Sequence, residues 1–178
     1  MNLCVFCGSS FGISPVYVQE TIRFGNLLAE KGITLVYGGG NTGLMGALAD
    51  AVLSKGGKVI GVIPQKLVER ERAHQRLTEL HVVSTMHERK AKMAELSQGF
   101  VALPGGLGTF DEFCEILTWN QLGFIDKPAG LLNVEGYYDP FIKQMQYSVA
   151  EGFITSVFWQ KVVIENNPDS LLFNLFLG

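Results

Sequence analysis

Short apolar runs alternate along this chain with longer segments whose apolar residues recur at helical spacing. Each run is apolar at nearly every position, so a strand formed from it would be buried on both faces. Strands of that kind are typical of a parallel sheet, and the intervening segments are long enough to cover it. The sequence therefore predicts an α/β fold, a parallel sheet covered by helices on both faces. The predicted strands are residues 3–6, 34–37, 59–63, 81–83, 100–103, 129–133 and 162–164, and the predicted helices are 15–31, 44–54, 87–97, 110–122, 138–151 and 170–176.

The composition fits one globular domain spanning residues 1–178. The chain is 47% hydrophobic and 17% charged, and its net charge of −3 predicts no nucleic-acid partner. The sequence has no signal-peptide pattern, and no apolar segment approaches the length of about 20 residues that is needed to span a bilayer. We therefore expect no membrane partner and a cytoplasmic location. Cys4 and Cys7 form a C-x-x-C pair inside an apolar strand, where cysteine is more often a buried hydrophobe than a redox or metal ligand.

Glycine clusters follow three of the predicted strands, at Gly8-Ser9-Ser10, Gly38-Gly39-Gly40 and Gly105-Gly106. Because the carboxyl ends of parallel strands meet at one edge of a sheet, we expect the clusters to converge on one cleft. The first is either a turn or a source of serine hydroxyls for a ligand. The second indicates either close approach to a ligand or tight packing. Its spacing also fits a nicotinamide fingerprint, but the next strand ends without the acid that such a site needs.

The segment LPGGLGTFDEFCE, residues 103–115, runs from a predicted strand through a tight turn into a predicted helix. Glycine lets backbone N–H groups approach a ligand, and a helix N-terminus carries unpaired N–H groups that suit a phosphate. With the helix beginning at Thr109, Glu112 would lie one turn inside it, beside whatever the phosphate is attached to. The segment predicts chemistry on a phosphorylated small molecule, with the phosphate bound by Gly105, Gly106, Gly108 and Thr109.

Polar residues recur along the helix that follows and at the start of another. Glu112, Glu115 and Thr118 share one helix face that is expected to lie near the cleft. In the segment MHERKAKM, Arg89 and Lys90 lie in the first turns, where the helix dipole disfavours cations. A bound anion would explain that placement, and a solvated basic face is the alternative.

The charged stretch before that helix is less informative. Spacing alone does not single out Glu71, and a surface charge run is its simplest explanation. His74 is either a surface residue or a site residue.

The motif PGGLGTFDE resembles the PGGxGTxxE signature of the LOG (Lonely Guy) family of cytokinin-activating phosphoribohydrolases, which were long labelled as possible lysine decarboxylases. The similarity extends over nearly the whole chain through FCGSS, VYGGGNTGLMG, MHERKAKM and EILTWNQLG. The resemblance implies a Rossmann-like three-layer fold, a homodimer and no cofactor. It also implies hydrolysis of the N-glycosidic bond of adenosine-type 5′-monophosphates, which releases ribose 5-phosphate and adenine or an N6-substituted adenine.

The resemblance assigns Arg89 and Glu112 as the catalytic pair, and we expect Glu115 to hold a ribose hydroxyl. Leu107 stands where the family often has Tyr or Phe, and Asp111 where Glu is common, so both are expected to affect base or ribose preference. Together with the glycines at the strand ends, the predicted substrate-binding residues are Gly8, Ser9, Gly39, Glu71, Arg89, Lys90, Gly105, Gly106, Leu107, Gly108, Thr109, Phe110, Asp111, Glu112, Glu115 and Thr118.

Two alternatives to this activity follow from the same residues. A nucleotide or cofactor carrier could use the cradle without catalysis, although Arg89 and Glu112 together argue against it. A pyridoxal phosphate decarboxylase needs a lysine for its Schiff base, and Lys90 is the only lysine near the predicted site. The sequence does not distinguish AMP from an N6-prenylated relative, nor does it say whether the apolar run 171–177 packs on its own domain or on a partner.

Overall fold

Seven parallel strands form one sheet in the computed structural model, which describes residues 1–176. All seven predicted strands are present, with ends that differ from the prediction by no more than two residues. The strands are β1 Asn2–Phe6, β2 Thr34–Tyr37, β3 Val59–Pro64, β4 Glu79–Val83, β5 Gly99–Ala102, β6 Ala129–Leu132 and β7 Val163–Glu165.

Helices connect the successive strands except β3 and β4, which are joined by a loop with one 3₁₀ turn, and a helix follows the last strand. Six correspond to predicted helices, and the short α6 was not predicted. The helices are α1 Pro15–Glu30, α2 Gly43–Ser54, α3 Met86–Leu96, α4 Leu107–Gln121, α5 Asp139–Ala150, α6 Ser156–Trp159 and α7 Pro168–Phe176.

Local sequence signals explain several helix ends. Helix α1 has Ser14 at its N-cap position and Pro15 in its first turn, and the left-handed Gly32 follows its end. Helix α4 begins at Leu107, earlier than predicted, with Gly106 as its N-cap. The prediction was wrong because Gly108 was read as part of the turn, whereas the tight turn is complete at Gly106 and the first helical turn tolerates a glycine.

The strand order is β4-β3-β2-β1-β5-β6-β7. The chain builds outward from β1 to β4 and then returns to the other side of β1, where Val5 pairs with Val101 of β5. Ligands of open α/β sheets bind outside the carboxyl ends of the strands at such a reversal of direction. The expected cleft therefore lies between the loops that follow β1 and β5.

Helices cover the sheet on both faces, which confirms the predicted three-layer fold. Helices α1, α2 and α7 pack on one face, and α3 to α6 pack on the other. Successive residues of β1 alternate between the two layers of the core, so Cys4 and Cys7, three positions apart, lie on opposite faces. Both thiols are free and buried, in agreement with their interpretation as small core residues.

Helix α7 answers the question that the sequence left open about the apolar C-terminal run. Leu171, Leu172 and Leu175 are buried in the core on the α1 and α2 side of the sheet, so the run packs on its own domain. Its last residue, Leu177, lies outside the described residues. Within residues 1–176 no helix is both long enough and apolar enough to cross a membrane.

Candidate active site

A cleft of about 240 Å³ lies at the carboxyl ends of the strands. The loop after β1, the start of α2, the loop between β3 and β4, helix α3 and the first turns of α4 all contribute to it. Its lining residues are Cys7, Gly8, Ser9, Met45, Leu67, Glu71, Met86, Arg89, Gly106, Leu107, Gly108, Thr109 and Glu112.

Arg89 is fixed by the backbone of the sheet. Its Nε donates to the carbonyl oxygen of Val62 at 3.1 Å, and its Nη2 donates to that of Gly38 at 2.8 Å. Nη2 also lies 3.3 Å from a carboxylate oxygen of Glu71, and only 5% of the residue is exposed. The guanidinium is therefore a buried, preoriented charge at the wall of the cleft.

Two glycines of the second cluster, Gly38 and Gly40, lie directly against Arg89 and Glu71. A Cβ at position 38 would overlap Nη2 of Arg89, so any other residue there would displace the guanidinium. Gly40 forms an antiparallel bridge with Ala73, and a Cβ at Gly40 would lie 3.2 Å from Cβ of Glu71. Gly38 and Gly40 therefore allow close packing against the Arg89 side chain and against the loop that carries Glu71, rather than the packing of helix on strand that was one of the two interpretations. The third member, Gly39, has a φ of +77° and packs under Ile63, outside the cleft lining.

The N-terminus of α4 faces the cleft with a glycine-rich turn. The N–H groups of its first turn have no partners within the helix, and they include those of Leu107, Gly108 and Thr109. A Cβ at Gly106 or Gly108 would meet nothing within 4 Å, so protein packing does not require glycine at either position. Open space in front of unpaired N–H groups and a positive helix end suits an anionic ligand.

Gly105 and Gly8 bring the loops after β5 and β1 together. The Gly8 N–H donates to the carbonyl oxygen of Pro104 at 3.0 Å, and a Cβ at Gly105 would come within 2.8 Å of the Gly8 nitrogen. The hydroxyl of Tyr137 donates to the Gly105 carbonyl from the other side. Gly105 thus shapes the cradle from behind, while Gly8 also lines the cleft.

Glu112 is the carboxylate at the base of this cradle. Burial raises its pKa from an ordinary 4.5 to about 7; nearby Arg89 opposes that rise and Glu71 adds to it. Glu112 is not a partner in the neighbouring ion pairs, because Arg89 pairs with Glu71 and Lys90 pairs with Asp111 and Glu115. At neutral pH the carboxyl is present in both protonation states, which suits a general acid or base.

Lys90 lies away from the cleft, between α3 and α4. Its Nζ lies 2.7 Å from a carboxylate oxygen of Asp111 and 3.3 Å from one of Glu115. Desolvation lowers the pKa of Lys90, but Asp111 and Glu115 outweigh it, and the net pKa is raised. This ion cluster joins the two helices next to Arg89 and Glu112.

Two further predicted residues also lie outside the cleft lining. Phe110 packs against the rings of Tyr138 and Phe141, at centroid distances of 5.8 Å and 5.6 Å. The exposed Thr118 hydroxyl donates to the carbonyl oxygen of Cys114 at 2.8 Å. The helix face expected to carry Glu112, Glu115 and Thr118 into the site therefore brings only Glu112 into the cleft of this chain. The binding roles of the others stay predictions.

Comparisons with known proteins show the family of this chain. A family model described as possible lysine decarboxylase matches residues 45–175. A probable cytokinin riboside 5′-monophosphate phosphoribohydrolase of Oryza sativa subsp. japonica is 48% identical over 96% of this chain and 77% of the rice protein. A cytokinin riboside 5′-monophosphate phosphoribohydrolase of Arabidopsis thaliana is 45% identical over 96% of this chain and 80% of its own length. The chain belongs to the LOG family.

The same fold occurs in proteins of more distant sequence. The molybdenum cofactor binding protein of the phototrophic bacterium Rippkaea orientalis superposes with a TM-score of 0.70. Its sequence is 22% identical, and the alignment covers 96% of this chain and 91% of that one. At this identity the likeness shows a shared fold, so the chemistry of this LOG family member has to be argued from its own cleft.

Four apolar residues of the LOG cleft were not among the predicted site residues. They form part of its wall, and all but Leu67 lie inside motifs that carried the resemblance; they are Cys7, Met45, Leu67 and Met86. Periodicity could not identify them, because apolar residues at helical or strand spacing are ordinarily core residues. Within residues 1–176, no three metal-ligating side chains lie together.

Proposed function

We propose that this protein hydrolyses the N-glycosidic bond of AMP or an N6-substituted AMP and releases the free base and ribose 5-phosphate. The observation that carries the proposal is the position of Glu112, a carboxyl group with its pKa raised to about 7, beside buried Arg89 and behind an open helix N-terminus. The names and the 45–48% identity of the LOG relatives support the same reaction.

The phosphate is held first. The free N–H groups of Gly106 to Thr109 and the positive end of α4 bind the 5′-phosphate, and the Ser9 hydroxyl across the cleft adds a donor. Binding the phosphate at a distance from the breaking bond positions the sugar over Glu112. The apolar side chains of Met45, Leu67 and Met86 suit the flat faces of a base.

The bond between ribose C1′ and the base nitrogen then breaks. Its electron pair goes to the base, which takes up a proton as it leaves, and positive charge develops on the ribose ring. The Glu112 carboxylate stabilises that charge and accepts a proton from the water that adds to C1′. Glu71 contributes a second negative charge, and Arg89 holds Glu71 in place through the 3.3 Å contact. The products are free base and ribose 5-phosphate, with one water consumed.

The carrier alternative uses the same fold without turnover. It has support in the fold shared with the molybdenum cofactor binding protein, but a carrier has no need of an unpaired carboxyl with a raised pKa in its cleft. Decarboxylation of lysine through pyridoxal phosphate has little support, because the Lys90 ammonium is engaged by Asp111 and Glu115 outside the cleft.

Product chromatography tests the proposal. Purified protein is incubated separately with AMP and with N6-isopentenyl-AMP, and release of adenine or isopentenyladenine is expected. Glu112→Gln should bind AMP but lose about 10²–10⁴-fold in kcat, and Arg89→Ala should lose activity as well. Glu95→Gln, an exposed glutamate of α3 paired with Lys92, is the matched control. Intact nucleotide in both incubations with AMP still bound would favour the carrier instead.

We further propose that the protein acts as a homodimer in the cytoplasm. Several large apolar side chains after α4 and around α6 are exposed, including Leu122 at 64%, Phe124 at 75%, Phe153 at 81% and Val157 at 69%. Exposed apolar surface of this kind is typical of interfaces. Multi-angle light scattering should give twice the mass of the chain, and a monomer at micromolar concentration would refute the dimer.

A further inference from the structure

Glu71 enters the cleft from the loop between β3 and β4, and this loop contains little regular secondary structure. The loop opens with a single 3₁₀ turn at Gln65–Leu67 and continues as turns. Its links to the glycine loop after β2 include the bridge between Gly40 and Ala73 and the Asn41 N–H, which donates to the carbonyl oxygens of Glu71 at 2.9 Å and of Arg72 at 3.0 Å. The position of the Glu71 carboxylate therefore depends on what holds this loop.

His74 joins the loop to the glycine loop after β2 and to helix α2, and its ring also bonds within the loop. Its N–H donates to the carbonyl oxygen of Gly39 at 3.0 Å. Its Nδ1 accepts the backbone N–H of Arg76 at 3.2 Å, so the ring proton is on Nε2. Nε2 lies 3.2 Å from a carboxylate oxygen of Asp50 on helix α2 and donates to it. Only 3% of the residue is exposed, and both ring nitrogens form hydrogen bonds.

The residue between this anchor and Glu71 is strained. Arg72 has a φ of +48°, a left-handed conformation that is unfavourable for a side chain other than glycine. A strained residue persists only when contacts on both sides impose its conformation. On one side Arg72 is held through Glu71 and Asn41, and on the other through Ala73 and His74. Loss of the His74 anchor would release the strain and move Glu71.

We propose that His74, oriented by Asp50, is a positioning residue that holds Glu71 against Arg89 and beside Glu112. Asp50 is well suited to this, because helix α2 is packed on the sheet and because the Arg76 guanidinium bonds the same carboxylate oxygen that accepts from His74. His74 itself is not a lining residue of the cleft. The catalytic part of this proposal rests on the proposed function.

Three variants and a matched control test it. His74→Ala removes both ring hydrogen bonds of the anchor and Asp50→Ala removes the one to helix α2, while the backbone bond from His74 to Gly39 remains in both variants. His74→Gln keeps an amide oxygen for the Arg76 N–H and an amide N–H for Asp50. Asp169→Ala is the control. Like Asp50, Asp169 lies on a helix and pairs with an arginine, but its helix is α7 and its partner is Arg23, at 3.1 Å.

With AMP as substrate, His74→Ala and Asp50→Ala should lower kcat about 10- to 100-fold, since displacement of a catalytic group by about 1 Å costs that much. KM should change little, because the phosphate cradle on α4 is untouched. His74→Gln should recover most of kcat, and Asp169→Ala should match the wild type. If His74 acts through Glu71, its removal should have almost no further effect once Glu71 is Gln.

Amide hydrogen exchange of residues 65–76 gives a readout that does not depend on activity. Exchange should be at least about tenfold faster in His74→Ala and Asp50→Ala and normal in Asp169→Ala. Normal exchange in the two anchor variants, or fast exchange with unchanged kcat, would overturn the proposal. Additive losses in the Glu71→Gln background would also overturn it. A wild-type protein without turnover refutes the proposed function, and the exchange data then still decide whether His74 holds the loop.

Discussion

Replacing Glu112 with glutamine should stabilise the folded protein at alkaline pH while removing its activity. Glutamine has nearly the same shape as glutamate but stays neutral. In the wild type, the pKa of Glu112 rises from an ordinary 4.5 to about 7, chiefly by burial, with Arg89 opposing the rise. The folded state therefore holds this proton more tightly than the unfolded state does.

The sign and size of the effect follow from that difference. Because the folded pKa is the higher one, the stabilising contribution of the protonated carboxyl is fully present below pH 4.5 and is lost as pH rises through about 7. At about 1.4 kcal/mol per pKa unit, the loss amounts to about 3 kcal/mol at pH 8.5. For a domain of this size that corresponds to about 6–12 °C in Tm.

Urea or thermal unfolding of wild type and Glu112→Gln at pH 5 and pH 8.5 measures the effect. The free energies of unfolding should differ by less than about 1 kcal/mol at pH 5 and by about 3 kcal/mol at pH 8.5, where the variant is the more stable. Glu95→Gln, on the exposed side of α3, should show no such dependence on pH. An equal difference between wild type and Glu112→Gln at both pH values would refute the argument that burial raises this pKa.

Three further predictions concern the same cleft. The kcat/KM for AMP should rise with pH and level off above about 7, the pKa of Glu112, because the ionised carboxylate stabilises the ribose cation; a profile that falls through pH 7 would assign it the opposite role. Gly38→Ala should lower kcat at least about 100-fold by displacing the Arg89 guanidinium. Gly108→Ala, whose Cβ would face open space, should chiefly raise KM for AMP. Equal effects of the two substitutions in steady-state assays would contradict these roles. Lys90→Met should lower kcat with little change in KM if its ion cluster only holds α3 against α4, and a large rise in KM would instead indicate direct contact with the substrate.

The strands and the edge of the sheet where the cleft lies could be predicted because they depend on local patterns. Continuous apolar runs form strands buried on both faces, and glycine clusters at their ends mark one edge of a parallel sheet. The start of α4 was predicted wrongly, because Gly108 is compatible with both a turn and a first helical turn. The tertiary contact between Gly8 and Pro104 fixes where the turn ends.

The sequence by itself determined the α/β fold, the family and the glycine-rich start of α4 that we propose as the phosphate site, because each is encoded in residues that are close together in the chain. Only the tertiary structure decided which charged residues share the cleft. Arg89 and Lys90 are neighbours in sequence, yet successive helical positions point in different directions, so one faces the cleft and the other joins α3 to α4. Gly38 lies 51 residues before Arg89 in the sequence and Glu71 lies 18 residues before it, so only tertiary packing brings them to its guanidinium.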